Sequence, residues 1–95
     1  MGLLVSPRVR RKMWTKHQVT VAEVEQCFAN LRGRFLVDTR ERHRTDPPTR
    51  WFLAPTNSGR VLKVVFIRTA RGNVVKSAFK PNAAEKRLYV RYGRQ

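Results

Sequence analysis

One cysteine, Cys27, is all the thiol chemistry this chain has. That excludes an internal disulfide and suits a reducing compartment, so a cytoplasmic location is expected. Acidic residues are scarce as well, six Asp and Glu against 21 Lys and Arg, with two histidines. A divalent-metal site needs clustered His, Cys or carboxylate ligands, and Cys27, His17 and His43 are scattered among cations that would repel such an ion. No metal and no cofactor is expected, and metal-dependent hydrolysis has no ligand set to work with. Long apolar runs are also missing: none approaches the ~18 residues needed to span a bilayer, and Gly2-Leu3-Leu4-Val5 is too short for a signal-peptide core. No membrane partner is expected. The start Met1-Gly2-Leu3-Leu4-Val5-Ser6 fits an N-myristoylation pattern, while Leu3 to Val5 read equally well as a short edge strand. No Walker loop, dinucleotide fingerprint or nucleophile-elbow serine occurs, nor any internal repeat or low-complexity segment.

What is present is charge on a foldable chain. The net charge is +15 and the pI about 11.7, yet 41% of the 95 residues are hydrophobic. So much apolar content argues against disorder and for one folded basic domain over residues 1–95 with a single modest core. Such an object attracts polyanions: nucleic acid, an acidic protein or an anionic surface.

The organising stretch is Thr49 to Lys80. Three β-rich runs are separated by Asn57-Ser58-Gly59 and Arg71-Gly72-Asn73, the pattern of two consecutive hairpins and hence of a three-stranded antiparallel meander. In the middle run Leu62, Val64 and Phe66 share one face and Val61, Lys63, Val65, Ile67 and Thr69 the other. Both faces are mostly apolar, so helices must cover at least one of them. Ser6-Pro7 opens a first helix, with Val9, Met13 and the adjoining Trp14 on its apolar stripe and Arg8, Arg10, Arg11, Lys12 and Lys16 around it. Thr20-Val21-Ala22-Glu23 is a capping box for a second helix reaching about Asn30, with a Val19–Val24 staple and Gly33 as its stop. Arg34 to Asp38 is a short strand candidate, and Thr39 to Pro48 a charged loop. Asn82-Ala83-Ala84-Glu85 caps a last helix. The class is α+β, in the order β-α-α-β-β-β-β-α with the first strand short: a small antiparallel sheet packed against two N-terminal helices and one C-terminal helix.

A positive surface with aromatics suits phosphate backbones and stacked bases. It can also cut RNA without a metal: the 2′-hydroxyl is the internal nucleophile, a Lys or His takes its proton, and arginines stabilise the extra charge on phosphorus. Composition does not separate cleavage from binding. Candidate nucleic-acid contacts are Arg40, Arg42, His43 and Arg44 in the loop, Lys63 and Arg68 on the central strand, and Lys80 after the last. The competing readings are a solvated turn for the loop and an exposed ladder of charge for Lys63 and Arg68. His17 reads either as an acid or base or as a cation placed at a helix C-terminus. Trp51 and Tyr89 read as core or as stacking platforms. Cys27, beside Phe28, reads as a buried small hydrophobe.

Several ordered motifs resemble the BrnT-like branch of the RelE/ParE toxin superfamily. They are Trp14-Thr15-Lys16-His17-Gln18-Val19-Thr20, then Phe28-Ala29-Asn30, Arg50-Trp51-Phe52, Leu62-Lys63-Val64-Val65-Phe66, and Ser77-Ala78 leading to Glu85-Lys86-Arg87-Leu88-Tyr89. The resemblance implies a RelE/BrnT-like fold and a small metal-independent ribonuclease toxin neutralised by a cognate antitoxin protein. Matching family positions are Lys16, His17, Arg50, Glu85 and Tyr89; Lys16, His17 and Arg50 are the catalytic candidates. Phe79 stands where that family has an arginine, and Gln18 where a glycine often follows the histidine. Lys80 adjoins Phe79 but points to the other face unless a bulge intervenes. Phe79 therefore leaves a second reading, a non-catalytic basic module of the same fold binding nucleic acid or an acidic protein. A third, hydrolysis of an ADP-ribose-type substrate, lacks carboxylates.

Overall fold

In a computed structural model that describes residues 2–39 and 46–93, the elements follow in the expected order. They are β1 (Leu3–Leu4), α1 (Pro7–His17), α2 (Val21–Ala29), β2 (Leu36–Val37), β3 (Thr49–Pro55), β4 (Val61–Thr69), β5 (Gly72–Phe79) and α3 (Ala83–Tyr92). The fold is α+β. The sheet order is β1-β5-β4-β3-β2; β1 runs parallel to β5 and the other pairs are antiparallel.

The meander forms where the turn residues place it. Thr56 N–H donates to Arg60 O at 2.8 Å, and Gly59 takes φ 88°, which a side-chain-bearing residue resists. In the second hairpin Thr69 pairs with Gly72. Gly72 has φ 141°, and a Cβ there would run into Gly2 O, so the close approach of β1 requires glycine. The β4–β5 register shifts between Val65, opposite Ser77, and Phe66, opposite Val75, which leaves Lys76 without an opposite number. This bulge lies upstream of Phe79 and does not turn Lys80 to Phe79's face.

Register puts Phe52, Ala54, Leu62, Val64, Phe66 and Ala78 on one face, all buried. Phe28 and Phe35 close over it, the rings of Phe28, Phe52, Phe35 and Phe66 meeting at 4.8–6.4 Å, mostly edge to face. Cys27 is fully buried and its thiol donates to Ala54 O at 3.4 Å. The opposite face carries Trp51, Lys63 and Phe79 and is covered in part by α3 through Tyr89, whose ring lies 5.8 Å from Trp51. Tyr89 Oη donates to Arg34 O at 2.8 Å. Trp51 and Tyr89 are thus core residues.

Both capping boxes close: Thr20 with Glu23, and Asn82 with Glu85. Val19 and Val24 are buried as the staple requires. Two expectations need correction. Gly33 does not stop α2, which ends at Asn30 with φ −91°. A Cβ on Gly33 would collide with Tyr89 and Gly93, so it is small to admit the end of α3. Trp14 does not share the buried stripe of Met13; it stays 56% exposed. Among the described residues no helix is long and apolar enough to cross a membrane.

Candidate nucleic-acid interface

The corner between α1 and α2 is built by Gln18. Its φ of 52° and ψ of 43° are left-handed, which lets its own N–H reach Trp14 O at 2.9 Å and Val19 N–H reach Met13 O at 3.2 Å. The side-chain amide adds bonds to Trp14 O and Thr15 O, both 3.3 Å. Arg60, at the end of the β3–β4 turn, then holds the corner: it donates to His17 O at 2.8 Å and Gln18 O at 2.9 Å, with Glu23 at 3.4 Å. Helix-end carbonyls carry partial negative charge, so a guanidinium fits there. Nothing in the sequence around Arg60 distinguishes it from the other basic residues, so its role shows only in the fold.

This corner delivers the ring of His17 onto Phe79, with centroids 5.4 Å apart and planes tilted by 39°. On the same sheet face as Phe79 lies Lys63, only 6% exposed. Its amine sits 4.7 Å from the Trp51 ring centroid and 5.5 Å from that of Phe79, and donates to Glu85 Oε2. The other oxygen of Glu85 accepts the Asn82 N–H at 2.9 Å. Lys63 is therefore not part of an exposed ladder: a carboxylate and two aromatic rings replace its water. The pair lies in the wall of an open cavity of about 580 Å³ between β2, β3 and α3, lined also by Val37, Leu88 and Tyr92.

The remaining candidates are spread out. Lys16 is exposed in the last turn of α1, and His17 is half-buried. Arg50 pairs with Phe66 on β4, whereas Lys63 pairs with Leu53, three residues further along β3. At ~3.3 Å per residue that is ~10 Å along the strand, and the odd offset puts Arg50 on the face away from Phe79. Lys16 and His17 are neighbours; Arg50 is not brought to them. Arg68 is exposed opposite Asn73, its guanidinium 6.0 Å from the Phe35 ring. Lys80 is exposed and shares an open depression of about 400 Å³ with Arg60 and Lys86. Arg40, Arg42, His43 and Arg44 lie outside the described residues.

What this arrangement does chemically, among the described residues, is gather cations near the end of α1. Arg60 bonds to the His17 carbonyl and lines the depression with Lys80 and Lys86, while Phe79 occupies the space between His17 and Lys63. Among the described residues no three His, Cys, Asp or Glu side chains group to hold a metal. Compared with protein-family models and with curated protein sequences, the chain matches none.

Proposed function

We propose that the chain binds RNA through its phosphates as a basic module of RelE/BrnT-like design, the non-catalytic one of the two readings opened by its motifs. The observation that carries it is the gathering of Arg60, Lys80 and Lys86 around one open depression beside the α1 end that bears Lys16 and His17. Phosphate binding needs positive groups that a strand can reach, and exposed Lys80 and Lys86 meet that need. Arg60 is partly engaged by Glu23 and two carbonyls, and contributes mainly field.

The test is RNA affinity against salt. A logarithmic plot should be linear, and Lys80→Ala or Lys86→Ala should each flatten its slope by about 0.7 for single-stranded RNA. Affinity indifferent to salt overturns the proposal.

A second reading is favoured by His17 itself, a half-buried imidazole stacked on Phe79 beside exposed Lys16: a metal-independent RNA-cleaving toxin neutralised by a cognate antitoxin protein. It is tested with EDTA present, comparing wild type with Lys16→Ala, His17→Ala and Arg50→Ala. Cleavage that falls ~100-fold in one variant would replace the binding-only reading. Arg50 lies on the sheet face away from Phe79, on which the His17 ring rests, and this is why we place this reading second.

A further inference from the structure

The ring left outside the core is on the most basic helix. Trp14 is 56% exposed, although a tryptophan has more apolar surface to gain from burial than any other residue. Helix α1 carries Arg8, Arg10, Arg11, Lys12 and Lys16 and no acidic residue from Pro7 to His17. Arg10 and Arg11 precede Trp14 by four and three positions, which puts them one turn away on the same side of the helix. All three, with Pro7, Val19, Thr20 and Val21, line a shallow, mostly apolar depression of about 490 Å³ between α1 and the start of α2. No acidic side chain lines it; Glu23, the nearest in sequence, is held by Thr20 and Arg60.

An exposed indole flanked by two guanidinium groups answers the two needs of an unpaired nucleotide, a flat apolar surface for the base and positive charge for the phosphates on either side. An acidic protein or an anionic membrane would also meet the charge, but of the three polyanions an unpaired nucleic acid strand alternates its charges with flat rings at the spacing of neighbouring side chains, which is the pairing this face offers. We propose that Trp14 is a base-stacking platform for single-stranded RNA, with Arg10 and Arg11 binding the flanking phosphates. The proposal rests on the RNA-binding reading above and adds what that reading does not require, a preference for unpaired bases.

The two tryptophans make the test direct, because Trp51 is 7% exposed and shielded while Trp14 is not. The probe is an oligoadenylate of about ten nucleotides, within the span of known single-strand sites, set against a blunt RNA duplex. The oligoadenylate should quench tryptophan emission and the duplex should not. Trp14→Ala should abolish the quenching and weaken binding on the order of tenfold with an unchanged salt slope; Trp14→Phe should keep most of the affinity, and Arg10→Ala with Arg11→Ala should lower the slope. Since the ring is exposed, Trp14→Ala should retain the wild-type circular dichroism. If wild type binds the oligoadenylate in a salt-dependent way and Trp14→Ala binds equally well, the platform is overturned and the RNA reading stands. If wild type shows no salt-dependent binding to either RNA, both fall. A blue shift of Trp14 emission on phosphatidylserine vesicles, with no response to oligoadenylate, also overturns the platform and makes this face a membrane contact.

Discussion

Gln18 has the only positive φ among the described non-glycine residues, 52°, and its side chain offsets part of that strain by bonding the last carbonyls of α1. Left-handed backbone costs a residue with a Cβ about 1–2 kcal/mol. Gln18→Gly removes that strain and the amide bonds together, so stability should hold or rise by up to ~1 kcal/mol. Gln18→Val keeps the strain and loses the bonds, and should cost about 1–3 kcal/mol. For a domain of this size each kcal/mol moves Tm by about 4–8 °C, so thermal unfolding separates the two variants. Cys27 makes a different prediction. Burial, helped by the negative charge of Glu23 and opposed by Arg60, pushes its thiol up from 9.0 to about 11. The unfolded thiol ionises first, so the folded state binds more protons between those values and loses stability as pH rises from about 9 to about 11. Below 9 that contribution is complete. Cys27→Ala lacks it, so urea unfolding of wild type and variant at several alkaline pH values should show their stability difference shrinking across that window.

At the scale of elements, β4 and α3 are joined by Lys63 and Glu85, side chains 8% and 19% exposed. Removing one partner of a buried pair leaves a charge without compensation and costs about 3–5 kcal/mol, whereas replacing both with apolar or neutral groups is often neutral. Glu85→Gln keeps a side chain able to complete the capping box, so its loss of stability should come from stranded Lys63. Lys63→Met takes the cation from beside the Glu85 carboxylate and should also cost stability, though less than Glu85→Gln, because Glu85 is the more exposed partner and keeps the Asn82 N–H. The double variant should be far more stable than Glu85→Gln, and a chemical-denaturation cycle of the four proteins reads the coupling. This pair also marks where the sequence stops being legible. The caps at Thr20 and Asn82 and the two hairpin turns could be read because their hydrogen bonds close within a few residues. The alternation of Leu62, Val64 and Phe66 could be read because strand periodicity is local. The partner of Lys63 lies 22 positions away, and Arg60 reaches back 43 positions to His17. Periodicity carries no information on such contacts, so Lys63 read as surface charge and Arg60 as one cation among many. The same blindness hid the parallel pairing of β1 with β5 and the packing role of Gly33.

On the scale of the whole molecule, a net charge of +15 sits on a body 33 × 33 × 25 Å. At 0.01 M salt the screening length is about 30 Å, so each cation feels repulsion across nearly the entire domain; at 0.15 M it is about 8 Å and only near neighbours count. Folding compresses like charges, and this repulsion acts against the native state more than against the expanded chain. Raising salt from about 0.01 to 0.15 M should therefore raise Tm. A pair-dominated surface would do the reverse, since salt weakens exposed ion pairs, but six acidic residues against 21 basic ones leave most cations with no carboxylate to pair with. Phosphate binding has the opposite dependence: affinity for RNA should fall over the same salt range as released counterions lose their entropic advantage. The two responses cross in one experiment. Melting the domain with and without oligoadenylate at several salt concentrations should give a stabilisation by RNA that is greatest at low salt and fades as the free protein's own Tm climbs. A Tm of the free domain that falls with salt would show that attractive pairs, not repulsion within the surplus of positive charge, govern its stability.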